Sequence, residues 1–301
     1  MRTNIQILFF LLFLTGISTS CKEDELSSIS IFDDSLEMEK NELDTWLDKN
    51  YLYPYNLEFK YRMEDIESSM SNNLVPIEYE MAIKMARIVK HAWFEAYDEI
   101  AGIKFTRQYA PKVIHLIGSQ QWNSNGTITL GYAEGGLKVT LVGGNWLDPT
   151  NIDNMNVMYF QTMHHEFAHI LHQNKDYPVE YNTLSEGRYS PSGWNNRTKI
   201  SDYAPYGFVT AYGSSQPGED IAEVTACYLT WTQAQWDALE EGTKVDSDGK
   251  PVAGGWEIIE KKIAIMKQYM LENYDIDMDA LRSTIDRRCN EIQNMNLTEL
   301  P

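Results

Sequence analysis

The chain has 301 residues, 43% of them apolar, with eight Trp and eighteen Tyr, which is material for a substantial core in one large domain or two small ones and excludes a disordered chain. Its 25 basic and 44 acidic residues leave a formal charge of −19. That charge excludes nucleic acid and anionic lipid headgroups as partners, because both would be repelled at long range, while metal cations and neutral or basic substrates stay admissible.

Residues 1–20 carry a basic Arg2 and an apolar run from Ile5 to Leu14. The run is too short to span a bilayer, so the segment reads as an export signal. Ser18-Thr19-Ser20-Cys21 resembles a bacterial lipobox, with Ser18 in place of the usual Leu. The resemblance implies that Cys21 is lipidated and anchors the mature chain in a membrane. Residues 22–44 hold nine acidic residues against two basic ones, so residues 21–45 read as an extended acidic tether. Within it, Lys22-Glu23-Asp24-Glu25 resembles the acidic sorting signal of surface-displayed lipoproteins of the Bacteroidetes, which implies an outer-membrane protein exposed on the cell surface. Cys227 and Cys289 remain, too few for a disulfide framework, and read as buried thiols.

Residues 46–301 read as one α+β body. The aromatic stretch YLYPYNLEFKYR, residues 51–62, is expected to pack onto it. In residues 77–100, Ala82, Met85, Val89, Trp93 and Ala96 recur at helical spacing and predict a core-facing helix, with His91 on the solvent side. Three short β-branched runs follow between 112 and 142. Punctuated by Asn125-Gly126 and Gly135-Gly136, they predict a small antiparallel sheet, with His115 a packed strand residue. Asp148-Pro149 ends this region, and a helix is expected from Asn151 to Asn174. Two further stripes, Ile259/Ile263/Met266/Met270 and Leu281/Ile285/Arg288/Ile292, predict a mainly helical C-terminal part.

The helix over 151–174 contains TMHHEFAHILHQ, with four of the chain's six histidines in nine residues. His165 and His169 are four apart, so both imidazoles leave one helix face about a turn apart and can share one zinc ion. Glu166 projects beside that point and is placed to accept a proton from water. His172 is a further turn away, about 10 Å from His165 along the axis, too far to join the same ion; it reads as a packed helix residue, with support of a ligand or lining of a pocket as the alternative. His164 points aside and reads as hydrogen-bonded or exposed.

A catalytic zinc takes a third protein ligand. The metzincin pattern would need Gly at 172 and His at 175, where the chain has His172 and Lys175, so that class is excluded. Asp202, in a segment that approaches D-x-x-Y-G with one residue too many, and Glu219, which begins an E-x-x-x-E pair with Glu223, both remain candidates.

GFVTAYGSSQPGEDIAE, residues 207–223, resembles the second motif of gluzincin peptidases of the lethal-factor-like branch. That resemblance implies a zincin-like (gluzincin) domain in which Glu219 is the third ligand, Glu223 supports a metal-bound histidine, and Tyr212 donates to the oxyanion, with Asp202 the alternative ligand. Together with the lipobox, the chain resembles the zinc metallopeptidase lipoproteins of the Bacteroidetes, the substrate-import-associated zinc metallohydrolase family. This implies one catalytic Zn2+, a peptide or protein substrate cut at the cell surface, and an outer-membrane nutrient importer as neighbour. Two alternatives stand beside it: a zinc hydrolase acting on a different bond, and a non-catalytic surface lipoprotein that assists nutrient capture.

Overall fold

Residues 39–63, 73–123, 128–134 and 137–301 are described by the computed structural model, and Asn41–Pro301 form one unit. The export signal, Cys21, the tether as far as residue 38, and the turns at Asn125-Gly126 and Gly135-Gly136 lie outside the described residues. No helix among the described residues is long and apolar enough to cross a membrane.

The folded unit starts at a reciprocal cap. The Asn41 side chain accepts from the Asp44 amide while the Asp44 carboxylate accepts from the Asn41 amide, which satisfies two of the donors a helix start leaves unpaired. Helix α1 (residues 42–55) widens into a π-turn at Asp48–Leu52. Its aromatic continuation packs inward as expected, with Tyr51, Tyr55, Leu57, Phe59 and Tyr61 buried. This stretch also supplies strand β1 (Glu58–Lys60), which the aromatic run conceals from a periodicity reading. Helix α2 (residues 79–101) buries the whole predicted stripe of Ala82, Met85, Val89, Trp93 and Ala96. His91 differs from expectation: only 18% of its side chain is exposed, because Glu95 and Glu291 approach it at 3.4 and 3.0 Å. Helix α3 (Ile103–Tyr109) leads into the sheet.

That sheet is mixed, not antiparallel throughout. Strands β2 (Val113–Leu116), β5 (Gly131–Glu134) and β6 (Lys138–Leu141) join β1 in the order β1-β2-β6-β5, and only the β5–β6 hairpin is antiparallel. β1 pairs with β2, and β2 with β6, in parallel. Between β2 and β5 the chain makes a separate two-stranded antiparallel ribbon, β3 (Gln121–Trp122) with β4 (Ile128–Thr129). After that detour β6 runs in the direction of β2. Alternation within a strand reports which face is buried; it says nothing about which neighbour the strand will find. His115 is fully buried on β2, as expected of a packed strand residue.

Helix α4 (residues 152–174) starts where the Asn151 side chain accepts from the Asn154 amide, and passes a π-turn at Asn156–Phe160. Helices α5 (Pro217–Thr230), α6 (Gln233–Gly242), α7 (Gly255–Tyr274) and α8 (Met278–Glu291) follow. The long segment between α4 and α5 is built of short turns. α5 is the centre of this half, packed against α4, α7 and α8, and ten of its fourteen residues are buried. Ile259, Met266 and Met270 of α7 and Leu281, Ile285 and the following Ile292 are buried as the two stripes predict, while Ile263 and Arg288 of the same stripes are only half-buried. Cys227 and Cys289 are buried free thiols.

Candidate metal centre

One turn of α4 sets the first two groups. His165 and His169 project from the same face, ring centroids 4.6 Å apart. The third arrives on α5. Gln216 is extended, Pro217 opens the helix with a backbone angle already suited to it, and Glu219 falls in the first turn. α4 and α5 pack face to face, which carries Glu219 Oε2 to 3.1 Å from His165 Nε2 and 3.0 Å from His169 Nε2. The two Nε2 atoms are themselves 3.0 Å apart. A tetrahedral ion with bonds of about 2.0–2.1 Å separates its ligand atoms by about 3.3 Å, so this triangle is close to the size one zinc requires. Two imidazoles and one carboxylate are also a catalytic zinc donor set. His165, His169 and Glu219 could therefore hold one metal ion, and they form the group of this kind among the described residues.

Each of the three is held from behind. Glu223, one helical turn after Glu219, places Oε1 at 2.7 Å from His165 Nδ1. Its other oxygen accepts from the Thr210 hydroxyl at 2.7 Å and from Gln161 Nε2 at 3.4 Å, and the Trp231 indole donates to Gln161 in turn. His169 Nδ1 lies 2.7 Å from His172 Nε2, and Gln216 donates to Glu219 Oε1 at 3.1 Å. Such partners fix which ring nitrogen carries the proton and aim the other one.

Burial pulls the His165 imidazole down, yet Glu219 and Glu223 outweigh it and raise its pKa to about 10. Burial likewise works to raise Glu219, but the hydrogen bonds from His165 and His169 hold it well below the carboxylate range. His172 is pushed down to about 4 by burial and by neighbouring His169, so its ring is neutral and can accept the proton of His169 Nδ1.

The group opens onto a cleft of about 910 Å³ that Glu166, one residue after His165, also lines. On one side the edge strand β5 lies against α4. A Cβ on Gly131 would stand 2.6 Å from Thr162 Cγ2 and 2.8 Å from the Thr140 carbonyl oxygen, so glycine is what allows this approach. Trp194 and Tyr212 also line the cleft, in edge contact with ring centroids 4.9 Å apart. Burial and the negative charge of nearby Glu219 raise the Tyr212 phenol far above its ordinary value, which keeps its proton in place.

The structure thus brings together His165, Glu166, His169, Tyr212, Glu219 and Glu223. Asp202 is elsewhere engaged: it ends a short turn, Ile200–Asp202, and accepts from the Lys199 amide at 2.8 Å. His164 is buried with Nδ1 at 3.2 Å from the Tyr97 hydroxyl. His172, read as ordinary packing, touches His169 and lines the cleft. This is the less favoured of its two readings, and it holds because a ring that cannot reach the metal can still reach the far nitrogen of a ring that can. Gln161 escaped notice, although it stands four residues before His165 on the same helix face; Thr210 and Trp194, on turns, carry no spacing signal.

Next to Glu219, Asp220 is fully buried, as is Lys262 of α7. Lys262 Nζ donates to Asp220 Oδ2 at 2.5 Å and to the Gly207 carbonyl at 2.7 Å, and the Tyr189 hydroxyl donates to the same carboxylate oxygen at 2.8 Å. This pair ties the first turn of α5 to α7. Burial shifts Asp220 up and Lys262 down, each against the pull of the other.

Comparison with known proteins adds three findings. Residues 36–279 match the family described as "Putative zinc-binding metallo-peptidase". A crystal structure of a "putative zinc-binding metallo-peptidase" from Bacteroides caccae is similar at 55% identity and a TM-score of 0.75, over 90% of this chain and 100% of that one. No curated protein matches the chain.

Proposed function

The chain belongs to this zinc-binding metallo-peptidase family, and from that premise we propose that it hydrolyses peptide bonds with one zinc ion held by His165, His169 and Glu219 in a gluzincin arrangement. The observation that carries this reading is the convergence of two imidazole nitrogens and one carboxylate oxygen, 3.0–3.1 Å apart, in a cleft that Glu166 also lines.

When bound, the ion would polarise the substrate carbonyl and lower the pKa of a water towards about 7. Glu166 accepts the proton of the attacking water and passes it to the leaving amine. Tyr212, held as the neutral phenol, donates to the developing oxyanion. In the metal-bound state Glu223, 2.7 Å from His165 Nδ1, and His172, 2.7 Å from His169 Nδ1, would accept hydrogen bonds from those ring nitrogens and leave both Nε2 atoms for the ion. Strand β5, at the edge of the sheet among the described residues, offers backbone groups to an extended peptide, which would add as a strand along α4. The proposal extends to an outer-membrane, surface-exposed location through a lipid on Cys21, beside a nutrient importer; Cys21→Ser should then move the protein from the membrane to the soluble fraction.

The test is metal content by mass spectrometry on the chain from residue 22. Near-stoichiometric zinc, lost in Glu219→Ala and kept in Asp202→Ala and Glu166→Gln, with peptide hydrolysis abolished in Glu166→Gln, is the expected result. A zinc-free protein after reconstitution, or loss of zinc in Asp202→Ala alone, overturns the assignment.

A further inference from the structure

We infer that the cleft cuts within an extended chain, next to an apolar residue and away from acidic ones, so that the protein is an endopeptidase; this rests on the peptidase reading above.

The length of the cleft on each side of the metal group is the first reason. Its floor is α4, from which Val157, Gln161, Thr162, His165, Glu166, His169, His172 and Gln173 face the opening. At about 1.5 Å per residue, Val157 to Gln173 covers about 24 Å, with His165 at the midpoint. About 12 Å of floor on either side accommodates three to four extended residues at roughly 3.3 Å each. The β wall agrees, since residues 128–132, from the end of the β3–β4 ribbon into β5, line the cleft consecutively. An exopeptidase cleft would instead close soon after the metal on one side and hold a charged chain end there.

The second reason is charge. No Lys or Arg lines the cleft among the described residues, so nothing there pairs a terminal carboxylate or an acidic side chain. The carboxylates that line it are Glu166, Glu219 and Glu223, all part of the metal group or beside it. An anionic residue next to the cut would face all three. Glu219 and Glu223 are occupied by histidines, Gln216, Thr210 and Gln161, which leaves them unsuited to hold a terminal ammonium.

The third reason is apolar surface in the lining. Val157, 50% exposed on the floor, and Ile128 in the wall both line the cleft. Trp194 and Tyr212 present an aromatic corner beside His165, whose ring centroid is 5.7 Å from that of Tyr212. An apolar side chain beside the scissile bond would cover this surface, and aromatic anchors contribute strongly to such recognition.

The zinc-loaded full chain is incubated with two mixtures of peptides of about ten residues, longer than the cleft. One mixture is acetylated and amidated, the other free at both ends, and products are mapped by mass spectrometry. Cuts inside the blocked peptides, next to apolar residues, are expected. Replacing the apolar neighbour by Glu should lower kcat/KM about tenfold or more, as should Trp194→Ala with zinc content unchanged. Independently of turnover, Glu166→Gln should bind a blocked cleaved sequence in calorimetry and bind its dipeptide fragments at least about tenfold more weakly. Removal of single residues from free ends, with the blocked peptides intact, overturns the inference and leaves the peptidase reading standing. Failure of the zinc-loaded protein to cut either mixture, with no binding by Glu166→Gln, overturns both.

Discussion

Replacing Lys262 by Met tests whether the first turn of α5 is held in place by a buried ion pair. The substitution keeps the length and apolar stem of the side chain but removes the ammonium that reaches Asp220 at 2.5 Å and the Gly207 carbonyl at 2.7 Å. Asp220 would retain the Tyr189 hydroxyl but no cation beside it among the described residues, in a position with no exposed surface. Breaking a buried pair from one side costs about 3–5 kcal/mol, because the remaining charge has lost both water and partner. Loss of the amine also removes its contact with the Phe208 ring, whose centroid lies 4.4 Å away.

For a unit of this size about 3–5 kcal/mol corresponds to a fall in Tm of roughly 10 °C. The assay is urea unfolding followed by Trp fluorescence in the presence of a chelator, so that metal binding does not add its own stabilisation. Lys262→Met/Asp220→Asn should recover at least about 2 kcal/mol of the loss, since the second change removes the stranded charge. A single variant within about 1 kcal/mol of wild type, or a double variant no more stable than the single, would refute the reasoning.

Three further outcomes follow from named contacts. Partial burial works to raise Asp44, but Arg62, the Asn41 amide and Tyr61 outweigh it and lower its pKa, so its stabilising effect is complete above the unfolded value of 3.8 and is lost as pH falls through the folded value. Asp44→Asn should therefore cost about 1 kcal/mol at pH 7, discounted for the partly exposed Arg62, and the gap to wild type should close in urea titrations below pH 3.8. Gly131→Ala should destabilise by about 1–3 kcal/mol and lower kcat/KM, because the added methyl must push β5 away from Thr162; unchanged activity and Tm would show that the strand needs no such closeness. Glu223→Gln should weaken zinc binding by about 10–100-fold in a competition titration with a chelating dye while the circular dichroism spectrum is unchanged, and equal affinity would remove Glu223 from the support of His165.

Local chemistry was readable from the order of residues alone. The spacing of His165, Glu166 and His169 sets their directions through helix geometry, which depends on neighbours within one turn. The same locality made the α2, α7 and α8 stripes legible, with the helix from Asn151 to Asn174. Contacts between distant segments were another matter. Asp202 and Glu219 were equally good candidates by chemistry, and the packing of α5 across α4 separates them by bringing one carboxylate to the histidines and leaving the other on a turn. Nothing in the strand runs announced that β2 would pair in parallel with β6, because pairing partners are chosen by the path of the whole chain. His172 acquires its place from the rotamers of two rings, and Lys262 meets Asp220 at a sequence separation of 42. Periodicity describes the face that an element turns to the core, while the identity of what lies on the other side of that face emerges when the elements pack.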